Sequence, residues 1–476
     1  MKMRRILTAA ALLVGSALAS VALAGDHATQ VGKGPFKNGP EVTRKCIECH
    51  EKETRDFMAT VHWTWSSEQV VDGRNVSLGK KNALNNFCIG LPSNWPRCTS
   101  CHAGYGWKDA GFDFTKAENV DCLVCHETTG TYKKFPAGAG HPVYDGETKE
   151  FPKGKPWQPV DLVKVAHSVG APTRATCGSC HFYGGGGDHV KHGDLDSSLT
   201  DPPPDIDIHM GGAKKMACQD CHKSRDHSLK GQAVSVSVGA GPRRMGCADC
   251  HKSDPHKKSL LNKHAGKVAC QTCHIPTFAK ARPTKMWWDW STAGKDTKPE
   301  DVPKDKYGEK TYDKMKGDFR WEKDVVPTYF WYNGSVDRYL AGDKIDPSKV
   351  VKFTSAKGSR NDRGARIFPF KVMKGKQAYD SGNNTIAFVN VFGPPGSDAY
   401  WAKYDWNAAI ASGMKSAGQP YSGRFGFVET SMVWPVNHMV VPKDKALKCD
   451  DCHNEKGRLD WKALGYKGDP GKPKNR

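Results

Sequence analysis

Long apolar runs are scarce in this chain of 476 residues. One opens at Ile6, behind Lys2, Arg4 and Arg5, and closes at Ala22-Leu23-Ala24. It has the basic head, apolar middle and small-x-small exit of an export signal, read here as residues 1–24. An uncleaved anchor is the competing reading, because the stretch is long enough to consider. No later segment is long and apolar enough to span a bilayer, so the mature chain is expected to be soluble and exported. Hydrophobic residues make up only 38%, beside 49 glycines and 29 prolines. So lean a polypeptide core is weak for this length, and another source of buried apolar mass is needed. Acidic residues are outnumbered, 51 against 71 basic ones, for a formal charge of +20. The excess suits anionic small molecules or acidic partners. No binding motif for nucleic acid accompanies it. The short Gly184–Gly187 run lacks the context of a phosphate loop and reads as a flexible connection.

Cysteine outside one pattern is almost missing as well. Of 17 cysteines, 16 fall into eight Cys-x-x-Cys-His motifs. These pair Cys46 with Cys49, Cys98 with Cys101, Cys122 with Cys125, Cys177 with Cys180, Cys218 with Cys221, Cys247 with Cys250, Cys270 with Cys273 and Cys449 with Cys452. Zinc ribbons and disulfide frameworks have no use for a histidine directly after the second cysteine. The pentapeptide is the attachment site of a c-type haem, in which both thiols bond the porphyrin and the histidine reaches the iron. Eight covalently bound haem c groups are therefore expected, and buried porphyrins supply the missing apolar mass. Their propionates offset much of the basic excess. Covalent haem attachment also makes a bacterial periplasm the expected compartment.

Motif starts are separated by 52, 24, 55, 41, 29, 23 and 179 residues, so there is no fixed repeat. The two close pairs, Cys98 with Cys122 and Cys247 with Cys270, predict neighbouring haems in stacked contact. The chain divides into the signal, a heptahaem region over 25–275 that includes the active-site haem, and a C-terminal region over 276–476. The last begins as an aromatic-rich, loop-like insertion with Trp287, Trp288, Trp290, Trp321, Trp331 and Tyr332. These aromatics read as core and haem packing. Apolar spacing at Trp401, Tyr404, Ala408 and Ala411 predicts a helix from Tyr400 to Met414, ended by Gly413 and Gly418. The fold class expected is mainly α, with short helices and long loops packed around the haems.

Eight motif histidines, His50, His102, His126, His181, His222, His251, His274 and His453, are the proximal candidates. Of the others, His62, His141, His192, His209, His227, His264 and His438 are the favoured distal ligands, with His256 a close competitor of His264. His27 lies beside the cleavage site, and His167 and His189 complete the set. Two imidazoles close an iron to substrate, and the supply is large enough that counting alone identifies no catalytic site. A lysine can leave a position exchangeable, but it binds metal only when neutral, so burial must lower its pKa. The Cys-x-x-Cys-Lys form of that device is absent.

Three segments carry a resemblance. They are LGKKNALNNFCIGLPSNWPRCTSCHAGYGWKD from Leu78 to Asp109, VDLVKVAHSVGAPTRATCGSCHFYGGGGDHVKHGDLDSSL, and NKHAGKVACQTCHIPTFAKAR. Together with the motif order, the late eighth motif and the lone Cys88, they resemble the octahaem tetrathionate reductase family. The resemblance implies a core similar to that of pentahaem nitrite reductase and octahaem hydroxylamine oxidoreductase. It also implies one active-site haem with lysine on the iron. By position that haem is the Cys98–His102 one, with His102 proximal and Lys164 the labile ligand. Asp161, one turn earlier, orients Lys164 or the substrate, and Lys153 and Lys155 compete with Lys164. Cys88 is placed at the rim of the same haem, where it attacks sulfur or is an inert buried thiol. The implied activity is reduction of tetrathionate to thiosulfate, fed by bis-histidine haems. Nitrite or hydroxylamine reduction on the same haem is the alternative, and a non-catalytic electron conduit is the alternative of another class. Hydroxylamine oxidation is disfavoured, because no tyrosine motif for a covalent link to the haem is evident. The expected partners are a small anionic or nitrogenous substrate and a periplasmic or membrane-associated cytochrome, with no nucleic acid and no membrane span in the mature protein.

Overall fold

The computed structural model describes residues 27–86, 90–231 and 245–472. The expected signal over 1–24 and Cys88 lie outside these described residues. No described helix is long and apolar enough to cross a membrane.

The motif-bearing half consists of short helices and connecting loops. The longest helix, Gly39–Met58, begins where Asn38 caps the Glu41 amide and Pro40 sits in the first turn. It carries the first motif and bends at His50. Arg174–His181 starts with a reciprocal capping box between Thr173 and Thr176 and ends on the fourth motif. Other motifs occupy single turns, such as Cys218–Cys221, Cys270–His274 and Cys449–Cys452. Such short pieces are marginal alone. Their stability must come from what they pack against.

The C-terminal half departs from the mainly α expectation, and strand amounts to 20% of the chain beside 26% helix. Residues expected to be loop-like build an eight-stranded sheet. Its path runs Val351–Lys352, Phe425–Pro435, Arg366–Asp380, Thr284–Asp289, Gly317–Glu322, Tyr312–Asp313. Thr328–Tyr332 and Thr385–Ile386 also pair with the long central strand Arg366–Asp380. That strand runs antiparallel to Phe425–Pro435 from Phe370↔Pro435 to Asp380↔Phe425, and parallel to Thr284–Asp289. Strands such as TKMWWD and TYFWY bury side chains on both faces. They therefore lack the alternation that marks a half-exposed strand. The expected helix from Tyr400 is two helices, Tyr400–Lys403 and Trp406–Ser416, because Tyr404 turns left-handed (φ 56°) and Asp405 caps a new start.

The sheet grips the haem-binding half. Ile367 exchanges backbone bonds with Lys267 and Ala269, just before the seventh motif. Asn86 and Asn94, on either side of Cys88, bond the carbonyls of Met373 and Val389. Lys371 is fully buried, and its ammonium donates to the carbonyls of Val190 and Lys191 and to the Thr284 hydroxyl at 2.7–2.9 Å. Removing that donor strands buried acceptors, each costing roughly 1–3 kcal/mol. Lys371→Met is therefore expected to lower the denaturation midpoint and to raise hydrogen exchange over 189–194, read by chemical unfolding and by exchange mass spectrometry.

Candidate functional site

Six motif histidines face a second imidazole across a nearly constant gap. Ring centres are 6.1 Å apart in His181/His62, 6.4 Å in His126/His227, 6.1 Å in His251/His209, 6.3 Å in His222/His438, 6.2 Å in His274/His256 and 6.1 Å in His453/His264. Bare imidazoles in van der Waals contact have no reason to keep one spacing. Two metal–nitrogen bonds of about 2 Å each, plus the two ring-centre-to-nitrogen distances, fill it. His181 borders accessible space, yet burial among protein groups pushes its pKa down to about 3. A void lined by the fold reconciles the two, and a porphyrin fits there.

Local structure delivers each partner. His227 sits at the tip of a two-residue hairpin, where Asp226 and His227 both take positive φ (50° and 57°). His209 follows the cap Asp207 in Ile208–Gly211, His264 ends Ser259–His264, and Asn262 holds His256. Five favoured distal candidates, His62, His209, His227, His264 and His438, thus stand opposite motif histidines. His256 does too, serving the seventh motif while His264 serves the eighth, so the two are not competitors. His141 and His192 stand elsewhere. His141 stacks on Tyr105 with Nδ1 bonded to the Tyr144 hydroxyl at 2.7 Å. His192 meets the edge of Trp434. His50 is solvent-exposed, and among the described residues no second imidazole faces it across such a gap.

The cysteines give the order in which the motifs adjoin. Thiols touch between Cys46 and Cys122, Cys101 and Cys180, Cys177 and Cys218, and Cys247 and Cys270. Cys221 lies near Cys250, and Cys273 near Cys452. The series runs first, third, fourth, fifth, sixth, seventh, eighth, with the second motif branching from the fourth. The Cys247 and Cys270 motifs are neighbours, as their spacing suggests. The Cys98 and Cys122 motifs instead turn their thiols to Cys180 and Cys46.

The second motif, like the first, has no second imidazole across such a gap among the described residues. His102 is completely buried, and its Nε2 bonds the Trp63 carbonyl at 2.7 Å. Trp63, Trp65, Trp107, Phe112 and Phe114 surround its ring. Burial, with Lys134 and Lys80 adding repulsion, lowers its pKa to about 3. The nitrogen expected to meet iron is turned here to the Trp63 carbonyl, and aromatic rings line the space beside it.

The structure places Lys164 on the surface. It is exposed on Leu162–His167, and its amide donates to Asp161, whose carboxylate is the cap of that helix. The Asp161 carboxylate is occupied by that backbone bond. Three other lysines converge on the second motif. The Cys101 thiol is lowered to about 5, chiefly by a hydrogen bond with Cys180, with Lys80, Lys134 and Lys191 acting in the same direction. Lys134 is buried against Asp121 at 2.9 Å and also reaches the carbonyls of His102 and Gly104. Asp121 further accepts from Tyr105 and Tyr132 at 2.8 and 2.9 Å. Lys80 lies 4.3 Å over Trp65, and Lys191 lies 5.0 Å over Trp434 with its carbonyl held by Lys371. Lys80 and Lys191 both fall inside the segments that carry the resemblance, but neither has a motif spacing by which the sequence could single it out.

His438→Ala is expected to convert one low-spin iron signal to high-spin. His102→Ala is expected to change one further iron signal, that of the second motif. Electron paramagnetic resonance at full haem content reads both.

Compared with known proteins, residues 45–127 match the family described as cytochrome c554 and c-prime, and residues 285–456 match bacterial cytochrome c. The crystal structure of octaheme cytochrome c from Shewanella oneidensis is 50% identical, with a TM-score of 0.86, over 95% of this chain and 99% of that one. An uncharacterized protein of Archaeoglobus fulgidus is 24% identical over 232 residues, 41% of this chain and 77% of that protein.

Proposed function

Because the chain belongs to the octahaem cytochromes c, we propose that it is an exported, periplasmic reductase that cleaves tetrathionate to thiosulfate at the haem of the second motif. The observation that supports this reading is the second motif, where Lys80, Lys134 and Lys191 converge on the Cys101 thiol and, among the described residues, no second imidazole faces His102 across the gap of the paired imidazoles. Bound haem c supplies serial one-electron transfer, and two electrons split the central S–S bond of the dianion into two thiosulfates without consuming a proton. A periplasmic or membrane-associated cytochrome is the proposed donor.

The residues around the site divide the remaining work. Lys134 is ion-paired to a buried carboxylate and donates to two carbonyls, so it serves as a positive charge fixed in place. Lys191 is half-buried, its backbone is clamped, and its ammonium rests on an aromatic face. It takes the ligand role first expected of Lys164. Lys80 and Lys134 attract the substrate dianion and stabilise negative charge as the bond breaks, and Lys191, neutral while a ligand, adds its charge only when free and protonated. Cys88 is the proposed sulfur-directed thiol, through exchange chemistry with the substrate. Nitrite or hydroxylamine reduction remains the second reading. It is favoured by the Tyr105–Asp121–Tyr132 network, since those reactions consume protons.

With reduced viologen as donor, Lys191→Ala is expected to lower kcat/KM for tetrathionate at least tenfold and to change one iron signal. Lys164→Ala is expected to do neither. The reverse pattern overturns the lysine assignment. Equal turnover of wild type and Cys88→Ala removes the thiol role, and turnover of nitrite or hydroxylamine without tetrathionate selects the second reading.

A further inference from the structure

The inner nitrogens of the paired imidazoles are not treated alike. Nδ1 of His126, His222 and His264 bonds the carbonyls of Gly170, Lys230 and Leu260, each at 2.9 Å. His256 faces the amide oxygen of Asn262 at 3.2 Å. These acceptors are neutral. Two ligands meet a carboxylate instead. His453 Nδ1 is 2.6 Å from Asp469, and His438 Nδ1 is 3.2 Å from Asp194. Both carboxylates are buried and fixed by backbone amides, Asp469 by Gly471 and Asp194 by Asn437 and His438. Two other acidic neighbours do not qualify. Asp207 is 4.0 Å from His209 Nδ1, and its oxygens are taken by amides. Glu53 is 3.8 Å from His50 with both side chains exposed.

A carboxylate draws the Nδ1 proton toward itself and makes the imidazole a stronger donor. It also places negative charge one ring away from the metal. Both effects favour the ferric state over the ferrous one. We propose that Asp469 and Asp194 are positioning residues that make the irons of the eighth and fifth motifs the low-potential members of the series. Their places give this a use. The eighth motif ends the series beside Cys273, so a low-potential iron there receives electrons and passes them inward downhill. The fifth adjoins the fourth, from which the second branches. A low-potential step there opposes the return of electrons once they have reached the branch.

The test uses the holoprotein and the isosteric variants Asp469→Asn and Asp194→Asn, with Glu53→Gln as control. Spectroelectrochemical titration is expected to move one haem of the eight upward from the low-potential end in each Asn variant and none in the control. The remaining resonance signals and the haem content stay as in wild type. Asp469→Glu is expected to restore the low potential. The proposal fails if the Asn variants titrate as wild type, or if Glu shifts the potential as far as Asn.

Discussion

The gap between paired imidazoles is the constraint on which the molecule depends. Four of the six pairs join segments far apart in the chain: His62 to His181, His227 to His126, His438 to His222, His264 to His453. The elements that bear them are single turns, hairpin tips and loops, none of which holds its shape alone. A covalently tethered macrocycle between two imidazoles fixes both segments at once. It also supplies the apolar contacts that a 38% hydrophobic composition lacks. The buried side-chain cores in the haem-binding half are small, whereas the largest cluster belongs to the sheet, around Trp288, Met373, Phe388 and Trp434. Stability thus comes from two sources, porphyrins on one side and aromatic packing on the other.

The sheet is more than a second core. Its central strand reaches across to Asn86, to the 189–194 segment and to the approach of the seventh motif. A backbone held at both carbonyls by a fully buried ammonium has little freedom, so Lys191 leaves a fixed base. Asp194, a few residues on, holds Asn437, which follows the sheet's last strand, as well as His438. One short segment therefore links the sheet to a lysine near the second motif and to a ligand facing the fifth. On the proposed function, the precision needed at the lysine is supplied by strands that carry no haem.

Part of this was legible in the residues. Covalent chemistry needs adjacent groups, so every attachment site can be read from a pentapeptide. Distal histidines come from anywhere in the chain, and only closeness to a motif, as for His264 before Cys270 and His438 before Cys449, suggested which to choose. His256 was underrated because it competed with His264 for one motif, when a motif far along the sequence takes the second. Asp161 preceded Lys164 by a helical turn, a spacing shared by a functional pair and by an ordinary cap. The sheet was hidden by its own burial, since strands covered on both faces lose the alternation that identifies them. Lys80, Lys134 and Lys191 could not be told from the other lysines before the fold brought them to one thiol.

His102 is where local cost and function meet. Its Nδ1 is buried without a hydrogen-bond partner, a state worth roughly 1–3 kcal/mol of lost solvation. Burial first, with repulsion from Lys134 and Lys80, holds its pKa down to about 3, so the ring stays neutral. In six other motifs the histidine faces a second imidazole. Here five aromatic rings and one carbonyl surround it, and Trp63, which supplies both a ring and that carbonyl, neighbours His62, the partner of His181. The turn that sets His62 opposite His181 therefore also sets the surroundings of His102. On the proposed function, the chemistry at the second motif is tied in this way to the closing of the fourth.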